Sequence, residues 1–88
     1  MEVVNRHTDR YTVYIGRPGP FGNPYPISHG RDRDKVIEMF EAYARMNPKL
    51  LKEIEALPAD AILGCWCKPD PCHGDVIVKL WNEMHSKK

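Results

Sequence analysis

Cysteine is scarce in this chain of 88 residues, and all of it lies between Cys65 and Cys72: one residue at each of those positions and one more at Cys67. An odd number packed so closely does not build the disulfide framework of a small secreted domain, and a reducing, cytoplasmic setting is expected instead. Charge of one sign is also missing. The formal net charge is +1, with acidic residues interleaved among the mild basic clusters at Arg31–Arg33 and Lys87–Lys88, so there is no electrostatic case for a protein that coats polyanions. No apolar run approaches the roughly 20 residues needed to cross a bilayer, and the first residues lack a signal peptide's basic and apolar regions. Repeats and low-complexity tracts are absent. What remains is an ordinary globular composition, 42% hydrophobic and 28% charged, read as a single domain over 1–88. A domain this small buries only about 60–65% of its unfolded surface.

The stretch Gly64-Cys65-Trp66-Cys67-Lys68-Pro69-Asp70-Pro71-Cys72-His73-Gly74-Asp75 organises the chain. Ahead of it, Ala61 to Trp66 is apolar and bounded by Pro58 and Pro69, which predicts a short buried strand. Behind it, His73, Val76, Ile77, Leu80, Trp81 and Met84 recur at helical spacing, with Asp70 as expected N-cap and Pro71 at the first helical position. Strand, tight turn and helix N-terminus thus converge, which is where α/β proteins place chemistry. Cys65 and Cys67 are two apart and share a face if the strand persists through them. Cys72 and His73 fall in the first helical turn, where free amides and the helix dipole favour an anion. Cys72 is therefore expected to have a lowered pKa and raised reactivity. His73 shares the helix face of Ile77, Leu80 and Met84 and should point inward. Gly74 leaves room for a ligand or a neighbouring backbone.

Elsewhere, Glu2 to Asn5 and Tyr11 to Ile15 read as strands, and the polar Arg6 to Arg10 between them suggests a hairpin. Gly16 to Gly30 holds four prolines and four glycines, which excludes helix and central strand. Long loops in compact domains tend to carry function. Arg17, the aromatic faces of Phe21 and Tyr25, the close-approach Gly22 and the amide of Asn23 suit a nucleotide or another planar anion. The plainer alternative is that the aromatics cap the core and Arg17 pairs with a carboxylate. Asp32 to Met46 is a helix with an apolar stripe of Val36, Ile37, Phe40, Tyr43 and Ala44. Asn47-Pro48 caps and starts another, whose Leu50, Leu51, Ile54 and Leu57 face the core and which Pro58 stops.

The order strand, loop, helix, helix, strand, loop, helix predicts an α/β fold: a Rossmann-like sheet of about three strands flanked by helices. Parallel strands with a right-handed crossover would bring the Gly16–Gly30 loop and the Cys65–Asp75 turn to one crevice at the carboxyl edge of the sheet.

Taken together, Tyr14-Ile15-Gly16-Arg17-Pro18, Phe21-Gly22-Asn23-Pro24, Leu63-Gly64-Cys65-Trp66-Cys67-Lys68-Pro69 and Cys72-His73-Gly74-Asp75 resemble the small bacterial and phage family known as domain of unknown function 4326. The likeness spans nearly the whole chain with both motifs in order. The Cys-His pair that opens a helix also resembles a second small α/β family in which an arginine follows the histidine. Gly74 occupies that place here, so an anion role for that arginine does not transfer.

Three readings of the site compete. In the first, the crevice binds a nucleotide-like anion and carries hydrolytic or group-transfer chemistry. Cys67 or Cys72 is then the nucleophile, His73 the general acid or base, Asp75 a group that orients a substrate hydroxyl, and Arg17, Phe21, Gly22, Asn23 and Gly74 the binding residues. In the second, Cys65, Cys67, Cys72 and His73 form a Cys₃His zinc site in an accessory module that binds protein or nucleic acid. In the third, the cysteines are small buried hydrophobes and His73 is a core histidine bonded to a carbonyl.

Overall fold

The structure is a computed structural model that describes residues 1–7, 10–16, 21–24, 32–65 and 72–86. Three strands, β1 (Glu2–Asn5), β2 (Val13–Tyr14) and β3 (Ile62–Cys65), form one sheet in the order β1-β3-β2. Both outer strands run parallel to β3. The helices are α1 (Arg33–Arg45), α2 (Pro48–Glu55) and α3 (His73–Ser86). This is a small α/β domain. Among the described residues, no helix is long and apolar enough to cross a membrane.

The expected hairpin between the first two strands does not form. The apolar strand β3 lies between β1 and β2 and pairs with both. The physical reason is burial: a strand paired on both sides loses water at both edges, and Leu63, Gly64 and Cys65 tolerate that, whereas the shorter or more polar outer strands belong at edges. Thr12 extends the pairing, since its N–H donates to the Ile62 carbonyl at 2.9 Å and its Oγ1 accepts from the Ile62 N–H at 3.0 Å. Ile15 N–H continues the ladder to the Gly64 carbonyl at 3.0 Å.

Register and alternation sort the two faces. Val3, Leu63 and Val13 form one row, and Asn5 and Cys65 lie in the next row of the same face. Leu63 and Cys65 are buried in the core with Ile15, Phe40, Ile54, Ile77 and Leu80. The helices supply their apolar stripes to this core: Val36, Phe40 and Ala44 of α1, Leu50 and Ile54 of α2, and Val76, Ile77 and Leu80 of α3. Ile37, Tyr43, Leu51, Leu57, Trp81 and Met84 are half-buried around it.

The caps explain where the helices begin. Asp32 accepts from the Lys35 N–H at 2.8 Å, and Asn47 accepts from the Leu50 N–H at 3.2 Å ahead of Pro48. Each satisfies an amide the helix leaves orphaned. Trp81 Nε1 donates to the Leu57 carbonyl at 2.9 Å, tying the segment after α2 to α3. On the surface, Arg45 and Lys79 share Glu41, and Arg45 also reaches Glu83, which joins α1 to α3. Hydrogen bonds from these cations hold the Glu41 and Glu83 carboxyls below their usual range.

Candidate functional site at the carboxyl edge of the sheet

Because all three strands are parallel, their carboxyl ends meet at one edge: Asn5 and Arg6, Ile15 and Gly16, and Cys65. The start of α3 joins them. His73 is buried, and its Nε2–H donates to the Ile15 carbonyl at 2.7 Å. A carbonyl can only accept, so Nε2 carries a proton in this bond. The ring also packs edge-on against Phe40, with centroids 5.0 Å apart. His73 therefore points inward, as its helical spacing predicts, and fastens α3 to the end of β2.

Cys72 stands at the N-cap position, just before α3, so the helix starts later than an Asp70 cap would place it. Asp70 and Pro71 lie outside the described residues. The cap itself is a capping box with a thiol in the serine position. Gly74 N–H donates to Cys72 Sγ at 3.3 Å, while Cys72 N–H donates to Asp75 Oδ2 at 3.3 Å. Asp75 thus supports the helix start, and its side chain is exposed. Gly74 is buried, and the place where a Cβ would stand lies 2.7 Å from Ile15 Cδ1 and 2.8 Å from Val3 Cγ1. Its missing side chain lets α3 approach the ends of β1 and β2.

The thiol of Cys72 lies 3.2 Å from that of Cys65, and each residue is only 1% exposed. The expected lowering of the Cys72 pKa is overturned. Burial, reinforced by the hydrogen bond and charge of Cys65, pushes the thiol up to about 12. The Gly74 amide acts the other way, but one amide is the smaller effect beside loss of water around a thiolate. At neutral pH, Cys72 is a protonated, buried thiol.

Phe21 is part of the hydrophobic core, and Asn23 Nδ2 donates to the Val36 carbonyl of α1 at 3.1 Å. Gly22 is half-buried between them. Phe21 and Asn23 pin the described part of the loop to the core and α1. Arg17 and Cys67 lie outside the described residues, as do Tyr25 and Trp66. Among the described residues, no three His, Cys, Asp or Glu side chains stand close enough to hold one metal ion. Cys65, Cys72 and His73 alone therefore do not assemble the expected zinc set.

Arg6 joins this edge without any signal in the local sequence. Its backbone N–H donates to the Cys65 carbonyl at 2.8 Å, which fixes it at the carboxyl edge. Its guanidinium stands 5.1 Å from the centroid of the Tyr14 ring, a cation–π contact. Tyr14 pairs with Gly64, and the ring of Tyr11 lies against Gly64 where a side chain would otherwise be. Tyr11 and Tyr14 are themselves 6.3 Å apart, and Tyr11 is 37% exposed. Arg6 was hidden because a hairpin would have sent the end of β1 to the opposite edge. Only the parallel pairing brings it here.

The fold and this edge define a small parallel α/β domain with a cationic–aromatic cluster, a buried thiol pair and a capped helix start at the strand ends. The chain belongs to the family described as Domain of unknown function (DUF4326), which it matches over residues 3–83. It is similar to the uncharacterized 12.4 kDa protein in the nrdA-td intergenic region of Enterobacteria phage T4. The two are 33% identical over 85 residues, covering 93% of this chain and 78% of that protein. No solved structure matches the chain.

Proposed function

We propose that this domain recognises a small anionic, nucleotide-like ligand at the carboxyl edge of its sheet. The observation that carries the reading is the Arg6 guanidinium held over the Tyr14 ring, on a residue whose backbone is fixed to the end of β3. A cation fixed on an aromatic face offers a phosphate partner, and the neighbouring Tyr11 ring offers a surface on which a base can stack. Arg17, Gly22 and Asn23 belong to the loop that leaves the same edge after Gly16, and in this reading Arg17 adds a second cation. Binding is favoured over nucleophilic catalysis by Cys72, because its thiol is buried and protonated at neutral pH. His73 supports the edge through Ile15 rather than serving as proton carrier. A catalytic form of the reading rests on Cys67.

Thermal unfolding with added inorganic phosphate, nucleoside monophosphates and nucleoside diphosphates tests this. Ligand at a hundredfold excess over Kd should raise Tm on the order of 10 °C. Arg6→Met should remove most of that rise, read against the variant's own unliganded Tm so that loss of the Tyr14 contact is accounted for separately. A wild-type Tm that none of these compounds moves, or a rise that Arg6→Met retains in full, would overturn the reading.

A further inference from the structure

We propose that Cys65 and Cys72 form a reversible dithiol–disulfide pair, closed by a peroxide-class oxidant and reopened by a dithiol. The inference is independent of the ligand reading. Sγ to Sγ is 3.2 Å, with the two cysteines contributed by different elements, the last residue of β3 and the N-cap of α3. Closing to a bonded sulfur separation of about 2.05 Å requires an approach of about 1.2 Å. A side-chain rotation at either cysteine supplies a movement of that size without unpairing β3. The Gly74 N–H already points at one of the two sulfurs and stabilises a thiolate there when it forms.

The chemistry balances with one peroxide. One thiolate attacks a peroxide oxygen, the O–O bond breaks, and the departing hydroxide takes up the thiol proton as water. The resulting sulfenic acid is attacked at sulfur by the second thiolate, the S–O bond breaks, and a second water leaves. The sulfurs lose two electrons and the peroxide gains two. Both thiols are shielded, so the reaction proceeds through local opening of the edge and is slow at neutral pH. The product joins the end of β3 to the residue that caps α3, so oxidation acts directly on the helix cap as well as on the carboxyl edge.

The test is hydrogen peroxide treatment of the full chain followed by intact mass and non-reducing peptide mapping. Chymotrypsin cuts after Trp66, and a protease cutting before aspartate cuts at Asp70 and Asp75, so Cys65, Cys67 and Cys72 fall on three separate peptides. The expected result is loss of the mass of two hydrogens, a Cys65–Cys72 linked pair, and full reversal by dithiothreitol. Cys67→Ala should give the same linked pair, and Cys72→Ala should not. Since Cys72→Ala alters a buried position, the Cys67→Ala protein keeps the test decisive even if the first variant folds poorly. A bridge that involves Cys67, stepwise gain of oxygen without a bridge, or one zinc per purified chain that blocks bridging would each overturn the proposal.

Discussion

His73 of α3 donates its Nε2–H to the carbonyl of Ile15, at the end of β2, across 2.7 Å of buried space. The two residues are fifty-eight apart in sequence, and this bond locks the helix start to the strand end. Replacing His73 with Ala removes the donor, leaves the Ile15 carbonyl without this partner and opens a cavity beside Phe40. The expected cost is about 3 kcal/mol, or a Tm lower by roughly 10–20 °C. A His73→Ala protein with wild-type Tm would return the histidine to a purely chemical role.

Cys72 sets the alkaline behaviour. Its folded-state pKa is raised from 9.0 to about 12, so the folded state prefers the neutral thiol. That contribution to stability is fully present below pH 9 and is lost as pH rises toward 12. Wild-type stability should therefore fall more steeply than that of Cys72→Ala between those values in denaturant titrations. Alkylation of Cys72 by iodoacetamide should be slow near pH 7.5 and accelerate with pH, as mass mapping of that peptide would record. Fast alkylation at neutral pH would contradict the buried, protonated thiol.

Asp75 accepts from the Cys72 amide at 3.3 Å and is predicted to act through the helix cap. Asp75→Ala should cost about 1 kcal/mol, in the range of lost caps, with any ligand-induced rise in Tm preserved. A variant of unchanged stability that no longer responds to ligand would assign Asp75 to the ligand instead.

Gly74 has no room for a branched side chain between Ile15 and Val3. Alanine gains helix propensity worth up to about 1 kcal/mol, against a crowding cost of similar size, so Gly74→Ala should be close to neutral. Gly74→Val loses that compensation and should destabilise by about 2–3 kcal/mol. Urea titration of the two variants separates the effects, and equal stability of both would mean that α3 does not pack this closely.

Much of this fold was written in local residue patterns. The stripes on α1, α2 and α3, the caps Asp32 and Asn47, the start at Pro48 and the apolar β3 all follow from rules that act within a few residues. The inward aim of His73 came from the same periodicity, because Ile77 and Leu80 share its face.

What only the tertiary structure decided is strand order and everything that depends on it. Whether β1 turns back on β2 or passes to the far side of β3 is a contest between burial patterns sixty residues apart, and no local propensity reports on it. That choice carried Arg6 to the carboxyl edge and laid it over Tyr14. The environment of Cys72 was likewise non-local. Position at a helix start argues for a stabilised thiolate, but the neighbouring Cys65 sulfur and the surrounding core are placed by packing. Desolvation then outweighs the single favourable amide. Sequence determined the elements and the chemistry available at the turn, while the fold determined which groups meet there and in what protonation state, because burial and through-space contact are properties of the assembled chain.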